Sequence, residues 1–489
     1  MKRTTVTGIL FAAALCLPVL MLGAVHPVTL GIALAIAAGL HVMLATGRSV
    51  RLDLPGILLL VLVAATLLQL IPLPTAVVRV LSPSAASLRE AAQDAIGLPT
   101  PGFMPLTIDT TATLVELARL VLYLAVYWTA AKWVRHHDSV DILRLVAFIG
   151  AVAAAILLAH KIFLFDSVYG FYNPLHKGLQ GDRVSAPLIN ENHMAAFLCL
   201  CTTVTIGLAV SSSSRGNRLG LIATAAITGG ALLLTLSRGG IAAFVAAQIL
   251  FVAILLARRV SAKEGDSSAE PISWIPLSLA CALALGMFAA QDAIVGEFAN
   301  GDGKKIEMFH EALPLMAQFP LTGVGRGAFA SAFPLVSDWA ARVTFTHAEN
   351  AVVQLIVDWG IPVGLFALAV PLYLIGRRLQ RMPRRGVTAG VIAALVACGL
   401  HNLVDFNLEI PGVAVVAVAL FAVVAASTER RGPAGHPFRR LPRAVLVVAA
   451  VAALALAGLL FTTVSGHTAE EEGRAARQAL IAGDEEYFS

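Results

Sequence analysis

Apolar stretches of about membrane-spanning length recur throughout this sequence, and no other feature restricts its fold so tightly. They lie near 8–25, 28–45, 55–71, 112–133, 140–164, 193–210, 219–236, 240–257, 272–291, 350–375, 387–405, 410–426 and 444–464. At 1.5 Å per residue a helix needs roughly 20 residues to cross ~30 Å of hydrocarbon. In that medium each backbone N–H and C=O must be satisfied within the segment, so the stretches read as helices. The fold class expected is an all-α polytopic membrane protein with about 12–13 transmembrane helices. Composition agrees: 58% of the 489 residues are hydrophobic and 13% charged, too few charges to cover a soluble globule of this size.

The net charge of +5 first points to a polyanion such as nucleic acid. The basic residues, however, sit in short clusters between apolar runs: Lys2/Arg3, Arg48/Arg51, Lys132/Arg135, Arg215/Arg218, Arg258/Arg259/Lys263, Arg377 to Arg385 and Arg430 to Arg443. With a cytoplasmic N-terminus every one of these falls inside, as the positive-inside rule asks, and no nucleic-acid partner is needed. That phase holds only if the first run is an uncleaved helix rather than a signal peptide. The five cysteines (16, 199, 201, 281 and 398) lie inside apolar runs without metal or disulfide spacing. The chain then divides into N-terminal spans (1–164), central spans (165–291), a long extracytoplasmic loop (292–349), C-terminal spans (350–464) and an extracytoplasmic tail (465–489) that reads as an amphipathic helix.

The polar residues that topology leaves unexplained gather on the outer face. His347, Glu349 and Asn350 stand where the long loop enters a span, and Asn350, Gln354 and Asp358 recur every fourth residue, one stripe on a helix. Polar groups at that depth are costly and mark a site, or else bond neighbouring helices. Asn192 sits where a helix begins and reads as its N-cap. Arg183 lies in the preceding loop, and Arg238 occupies a tight turn between two spans, where its fork suits a phosphate or snorkels to lipid headgroups. His401 and Asp405, four apart, read as an oriented pair bracing the site, and Glu116 with Arg119 as a structural i,i+3 pair. Residues 304–319, with Ile306, Phe309, Leu313 and Met316 on one side, suit a helix on the membrane surface. The glycines of Pro320 to Phe329 have no strand before them and read as a turn, not a nucleotide loop.

Four stretches together resemble the O-antigen ligase superfamily, which includes O-antigen polymerases and bacterial O-oligosaccharyltransferases. They are Arg183 to His193, Ser237-Arg238-Gly239, Pro320 to Phe329 with His347 to Gly360, and His401 to Pro411. The resemblance implies a membrane-embedded glycosyltransferase of GT-C-like architecture in the bacterial inner membrane, working at its periplasmic face. It also implies an undecaprenyl-pyrophosphate-linked glycan donor and, as acceptor, a hydroxyl of lipid A-core, another glycan or a protein. No metal or other cofactor is expected. In family ligases a His followed by Asn, Ser or Gln stands before nine residues and a Gly. Counting back from Gly360 puts Glu349 at the His position, with a His two residues earlier. The expectation is therefore Glu349 as base with His347 as its partner or substitute, and Arg183 and Arg238 stabilising the leaving pyrophosphate. Asn350, Gln354, Asn192, His401 and Asp405 support them. A polymerase is the alternative within the class; a multi-pass transporter, which would place its polar residues near the bilayer midplane, is the alternative outside it.

Overall fold

A computed structural model describes residues 3–47, 50–165, 167–172, 186–261, 303–337, 345–380, 386–429 and 440–462. The helices in chain order are α1 (Arg3–Leu20), α2 (Pro27–Ala45), α3 (Leu54–Leu70), α4 (Thr75–Leu81), α5 (Pro83–Ala95), α6 (Thr110–His136), α7 (Ser139–Phe163) and α8 (Glu191–Val210). They continue with α9 (Arg215–Leu234), α10 (Arg238–Ser261), α11 (Gly303–Gln318), α12 (Phe329–Ala332), α13 (Ala351–Gln380), α14 (Gly386–His401), α15 (Pro411–Glu429) and α16 (Arg443–Thr462). All the apolar runs but 272–291 become helices; that one, like the tail from 465, lies outside the described residues. Among the described residues eight helices are long and apolar enough to cross a membrane and four more are shorter and apolar. The sheet content of the described residues is one pair of two-residue strands, Leu73–Pro74 with Phe103–Met104. The chain is an all-α polytopic membrane protein.

Burial sorts the spans into layers. In α8, 94% of the spanning window is buried in protein, against 33% in α16 and 28% in α9, so α8 forms the centre and the other two face lipid. Helices α6 and α15 pack on each other, and α8 packs on α14, α9 and α7. Gly207 of α8 lies against Gly390 of α14, where an added Cβ would stand 3.2 Å from the opposite Cα. In lipid, where apolar side chains gain nothing by leaving the surrounding tails, such close backbone approach supplies packing.

The span expected over 350–375 is present but broken. Helix α13 is interrupted at Gly360, whose φ of 79° lies in the left-handed region, and a Cβ there would sit 2.5 Å from the carbonyl carbon of Leu321. A break inside an apolar layer strands backbone groups, and here the Pro320 to Gly327 turn satisfies them. Val324 N–H donates to Val357 O (2.8 Å), and Ile361 N–H donates to Pro320 O (2.8 Å). From α3, the buried Gln69 donates through Nε2 to Asp358 O (2.8 Å) and Thr322 O (2.7 Å), while its Oε1 accepts the Arg326 N–H (3.0 Å). One glutamine in an apolar run thus ties the turn to the break.

Helix α11 occupies the interval expected for the surface helix, and of its expected stripe Met316 packs partly against a second core. Met308, Ala312, Leu315 and Phe319 pack into that core with Phe329, Phe333, Val353 and Val357, while Leu313 is exposed. Packing against α13 and the turn fixes the rotation of α11, a term absent from a pattern that asks only which residues are apolar.

Candidate functional site

All four stretches singled out in the sequence meet at one end of the bundle, the first through its end at Asn192 and His193. The α9–α10 turn reaches the α14–α15 turn at Gly239, where a Cβ would lie 2.8 Å from His401 Nε2. It reaches the start of α8 through Ser237, whose Oγ donates to Asn192 Oδ1 (2.7 Å). The start of α13 joins the same turn: Asn350 Nδ2 donates to Leu403 O (2.8 Å) and Ala351 N–H to Asn402 O (2.8 Å). Arg183, at the head of the first stretch, lies outside the described residues.

Several local expectations change. The N-cap of α8 is Asn190, whose Oδ1 accepts the Asn192 N–H (2.7 Å), so Asn192 is free to serve the α9–α10 turn instead. Helix α14 ends at His401 rather than running on to residue 405. Its end is fastened by Asn402, which donates to Cys398 O (2.7 Å) and accepts the Leu408 N–H (3.0 Å). The end turns Asp405 away from the α14 face: its Oδ1 stands 3.7 Å from His193 Nε2, whereas His401 lies on Gly239. Of the polar stripe, Asn350 is the cap of α13, accepting the N–H groups of Val352 (2.9 Å) and Val353 (3.1 Å). Gln354 and Asp358 are buried below it, Gln354 Nε2 donating to both Asp358 oxygens at 3.1 Å.

Glu349 stands between two pinned neighbours. Ala348 N–H donates to Gln354 Oε1 (2.7 Å), and Asn350 is held by its cap and by Leu403. Between them Glu349 takes φ 52°, a left-handed conformation uncommon for a residue with a Cβ, and its Oε2 is buried. Strain of this kind persists where the surroundings over-determine it, and it concentrates at functional positions.

His347 stacks flat on Phe406, with ring centroids 4.4 Å apart and planes 9° apart, and His193 meets the same ring edge-on at 4.8 Å. Thr346 Oγ1 is 2.9 Å from His347 Nδ1. Burial, with the positive charges of Arg119, Arg326 and His193, pushes the imidazole from its ordinary value down to about 3, against the pull of Glu116. The neutral ring is thus built into the fold. A folded-state value below the unfolded one contributes stability that is complete above pH 6.5 and is lost as pH falls from there toward about 3. We expect His347→Gln protein, melted in detergent across that window, to lose thermal stability less steeply on acidification than the wild type; parallel slopes would refute this.

The largest feature the sequence did not disclose lies just beneath. Arg326, inside the glycine turn and only 6% exposed, bridges three carboxylates from three separate elements. Its Nη1 donates to Asp358 Oδ2 (2.6 Å) and Glu409 Oε1 (3.0 Å), and its Nη2 pairs with Glu116 Oε2 (2.8 Å) and with Glu409 Oε2. The guanidinium also lies 4.7 Å from the centre of the Trp359 ring. Burial acts to lower its pKa, but the three carboxylates outweigh that and hold it well above the ordinary arginine value. The expected Glu116–Arg119 pair is present and forms the edge of this group. Gly325 lets the turn enter: φ is 111°, and a Cβ would overlap Thr107 Oγ1 at 1.9 Å. The available signal was an arginine between two glycines facing a span with an aspartate in it; what it pairs with is set by contacts 32, 83 and 210 residues away.

Arg238 is the first residue of α10, with Ser237 Oγ accepting the Gly240 N–H (3.1 Å) below it. A guanidinium beside the unsatisfied N–H groups of a helix start makes a region that favours an anion. Among the described residues no cluster of three or more His, Cys, Asp or Glu side chains is arranged to hold a metal. Chemically, the bundle end offers a cation, a strained carboxylate and a neutral imidazole within one set of interlocked turns. No curated protein matches the chain. Residues 223–368, which carry Arg238, Arg326, His347 and Glu349, match the family model described as O-antigen ligase, and that match supports membership of the O-antigen ligase superfamily.

Proposed function

We propose that the protein transfers a glycan from undecaprenyl pyrophosphate to an acceptor hydroxyl at the periplasmic face of the bacterial inner membrane. The observation that carries this reading is Glu349, a carboxylate held at positive φ between two anchored residues, at the bundle end where the Arg238 turn also docks. The acceptor oxygen attacks the anomeric carbon of the donor sugar. The bond from that carbon to the phosphate oxygen breaks, undecaprenyl pyrophosphate leaves with the bonding pair, and Glu349 takes the hydroxyl proton. A pyrophosphate leaving group needs little proton donation but gains from fixed cations, the role given to Arg183 and Arg238. His347, neutral and stacked on Phe406, positions the Glu349 segment against the α14–α15 turn. Asn350, Gln354, Asn192, His401 and Asp405 hold these turns together.

A reconstituted assay with lipid-linked donor tests the reading. Arg183→Ala and Arg238→Ala are each expected to weaken donor use, raising the donor KM by about tenfold or more, since charge-assisted hydrogen bonds contribute roughly 1.5–3 kcal/mol. Unchanged donor KM and rate in both variants would remove the arginines from the site. The acceptor is read from a deletion strain: loss of a ligase leaves bare lipid A-core on a lipopolysaccharide gel, whereas loss of a polymerase leaves core bearing a single repeat unit.

A further inference from the structure

At the opposite end of the bundle, the last turns of α6 and α2 and the start of α1 enclose a cavity of about 310 Å³. That is near the lower bound of small-ligand pockets, roughly 300–1,000 Å³. Its wall carries Lys132, His136 and His137 and, among the described residues, no carboxylate. Two further wall residues hold buried polar atoms without a hydrogen-bond partner among the described residues, Thr129 Oγ1 and Trp133 Nε1. Thr129 is only 2% exposed, and an unmatched buried donor is costly unless something fills its place. The Trp133 ring is fixed by His137, with centroids 4.5 Å apart, and by α1, where a Cβ on Gly8 would stand 3.4 Å from Cη2.

Two acidic side chains near this end are engaged elsewhere. Asp53 pairs with Arg135 (3.3 Å) and caps α3, and Asp138 caps α7. Lys132 is sixteen residues beyond Glu116 on α6, about 24 Å along the axis. That distance approaches the hydrocarbon thickness, so the cavity lies level with the headgroups of the other leaflet, where a tryptophan, a lysine and hydroxyls are at home. Topology accounts for a lysine at this end, but not for a cavity with two unmatched donors in its wall.

We propose that this cavity binds a phosphate group: Lys132 and the histidine pair face its charge, and Thr129 Oγ1 and Trp133 Nε1 donate to its oxygens. Its depth favours the phosphodiester of an anionic phospholipid over phosphate from solution; both present the same group. Nothing in this depends on the transfer chemistry at the far end.

The test melts the full-length protein in mixed micelles. Phosphatidylglycerol is expected to raise the melting temperature by about 3 °C over phosphatidylcholine, the scale of saturating a single site. Lys132→Gln/His137→Gln and, separately, Thr129→Val are expected to lose most of that gain while keeping the wild-type melting temperature in phosphatidylcholine and a monodisperse profile in detergent, which serve as the folding control. Millimolar inorganic phosphate without anionic lipid is the second arm. A gain only with phosphatidylglycerol identifies the lipid as the source; an equal gain with phosphate alone identifies solution phosphate at the same site. If the variants respond to both probes as the wild type does, or if the wild type melts alike in all three conditions, the proposal is overturned.

Discussion

Glu349→Gln protein is expected to reach the membrane in normal amounts, bind the lipid-linked donor as the wild type does, and transfer glycan at least about a hundredfold more slowly. Gln keeps the shape and removes the basic oxygen, and a positioned general base contributes roughly 10²–10⁴ in rate. The backbone argument strengthens the choice. The φ of 52° is fixed by Ala348 and Asn350 on either side, so the substitution changes the chemistry without releasing the conformation. His347 is the rival base. Its ring lies flat on Phe406, a stack that suits a positioning role. His347→Ala should therefore cost less than Glu349→Gln in kcat. The reverse order, or wild-type transfer by Glu349→Gln, would move the base elsewhere.

Arg326→Met is expected to destabilise the protein by about 3–5 kcal/mol, the cost of leaving buried charges uncompensated. Removing the guanidinium would leave Glu116, Asp358 and Glu409 facing one another with little solvent access. The measurements are thermal melting and the fraction of monodisperse protein in detergent. Arg326→Lys keeps the charge but cannot reach three carboxylates with a planar fork, so it should fall between the two. A double variant, Arg326→Met with Glu409→Gln, should be less damaged than the sum of the singles, because the two side chains share one interaction. Additive losses, or a melting temperature unchanged in Arg326→Met, would show that the group does not hold the bundle end together.

The two predictions separate chemistry from scaffold, though the groups concerned lie close together. His347 feels the charges of Glu116, Arg119 and Arg326, so the ion cluster and the site share an electrostatic environment. Glu116 from α6, Asp358 from α13 and Glu409 from the α14–α15 turn converge on one arginine, fixing three elements against each other near the site. A loop that carries a strained glutamate needs such a base, since site residues positioned by unsupported loops do not keep a productive geometry.

Read alone, the residues determined the elements. Apolar length specified the spans, because a helix in lipid satisfies its own backbone and its existence depends on few distant contacts. The recurrence of Asn350, Gln354 and Asp358, the turn at Arg238 and the polar run from His401 marked one end of the bundle. Only the tertiary structure decided the pairings. That Gln69 fastens a break at Gly360, that Arg326 serves three carboxylates, that Asn192 serves the α9–α10 turn and that Asp405 faces His193 all depend on partners tens to hundreds of residues away. Local patterns record which side chains are polar and where on a helix they stand. Which polar group satisfies which is settled when the helices pack, since a buried charge or a broken helix in an apolar layer is tolerable only where another part of the chain supplies its complement.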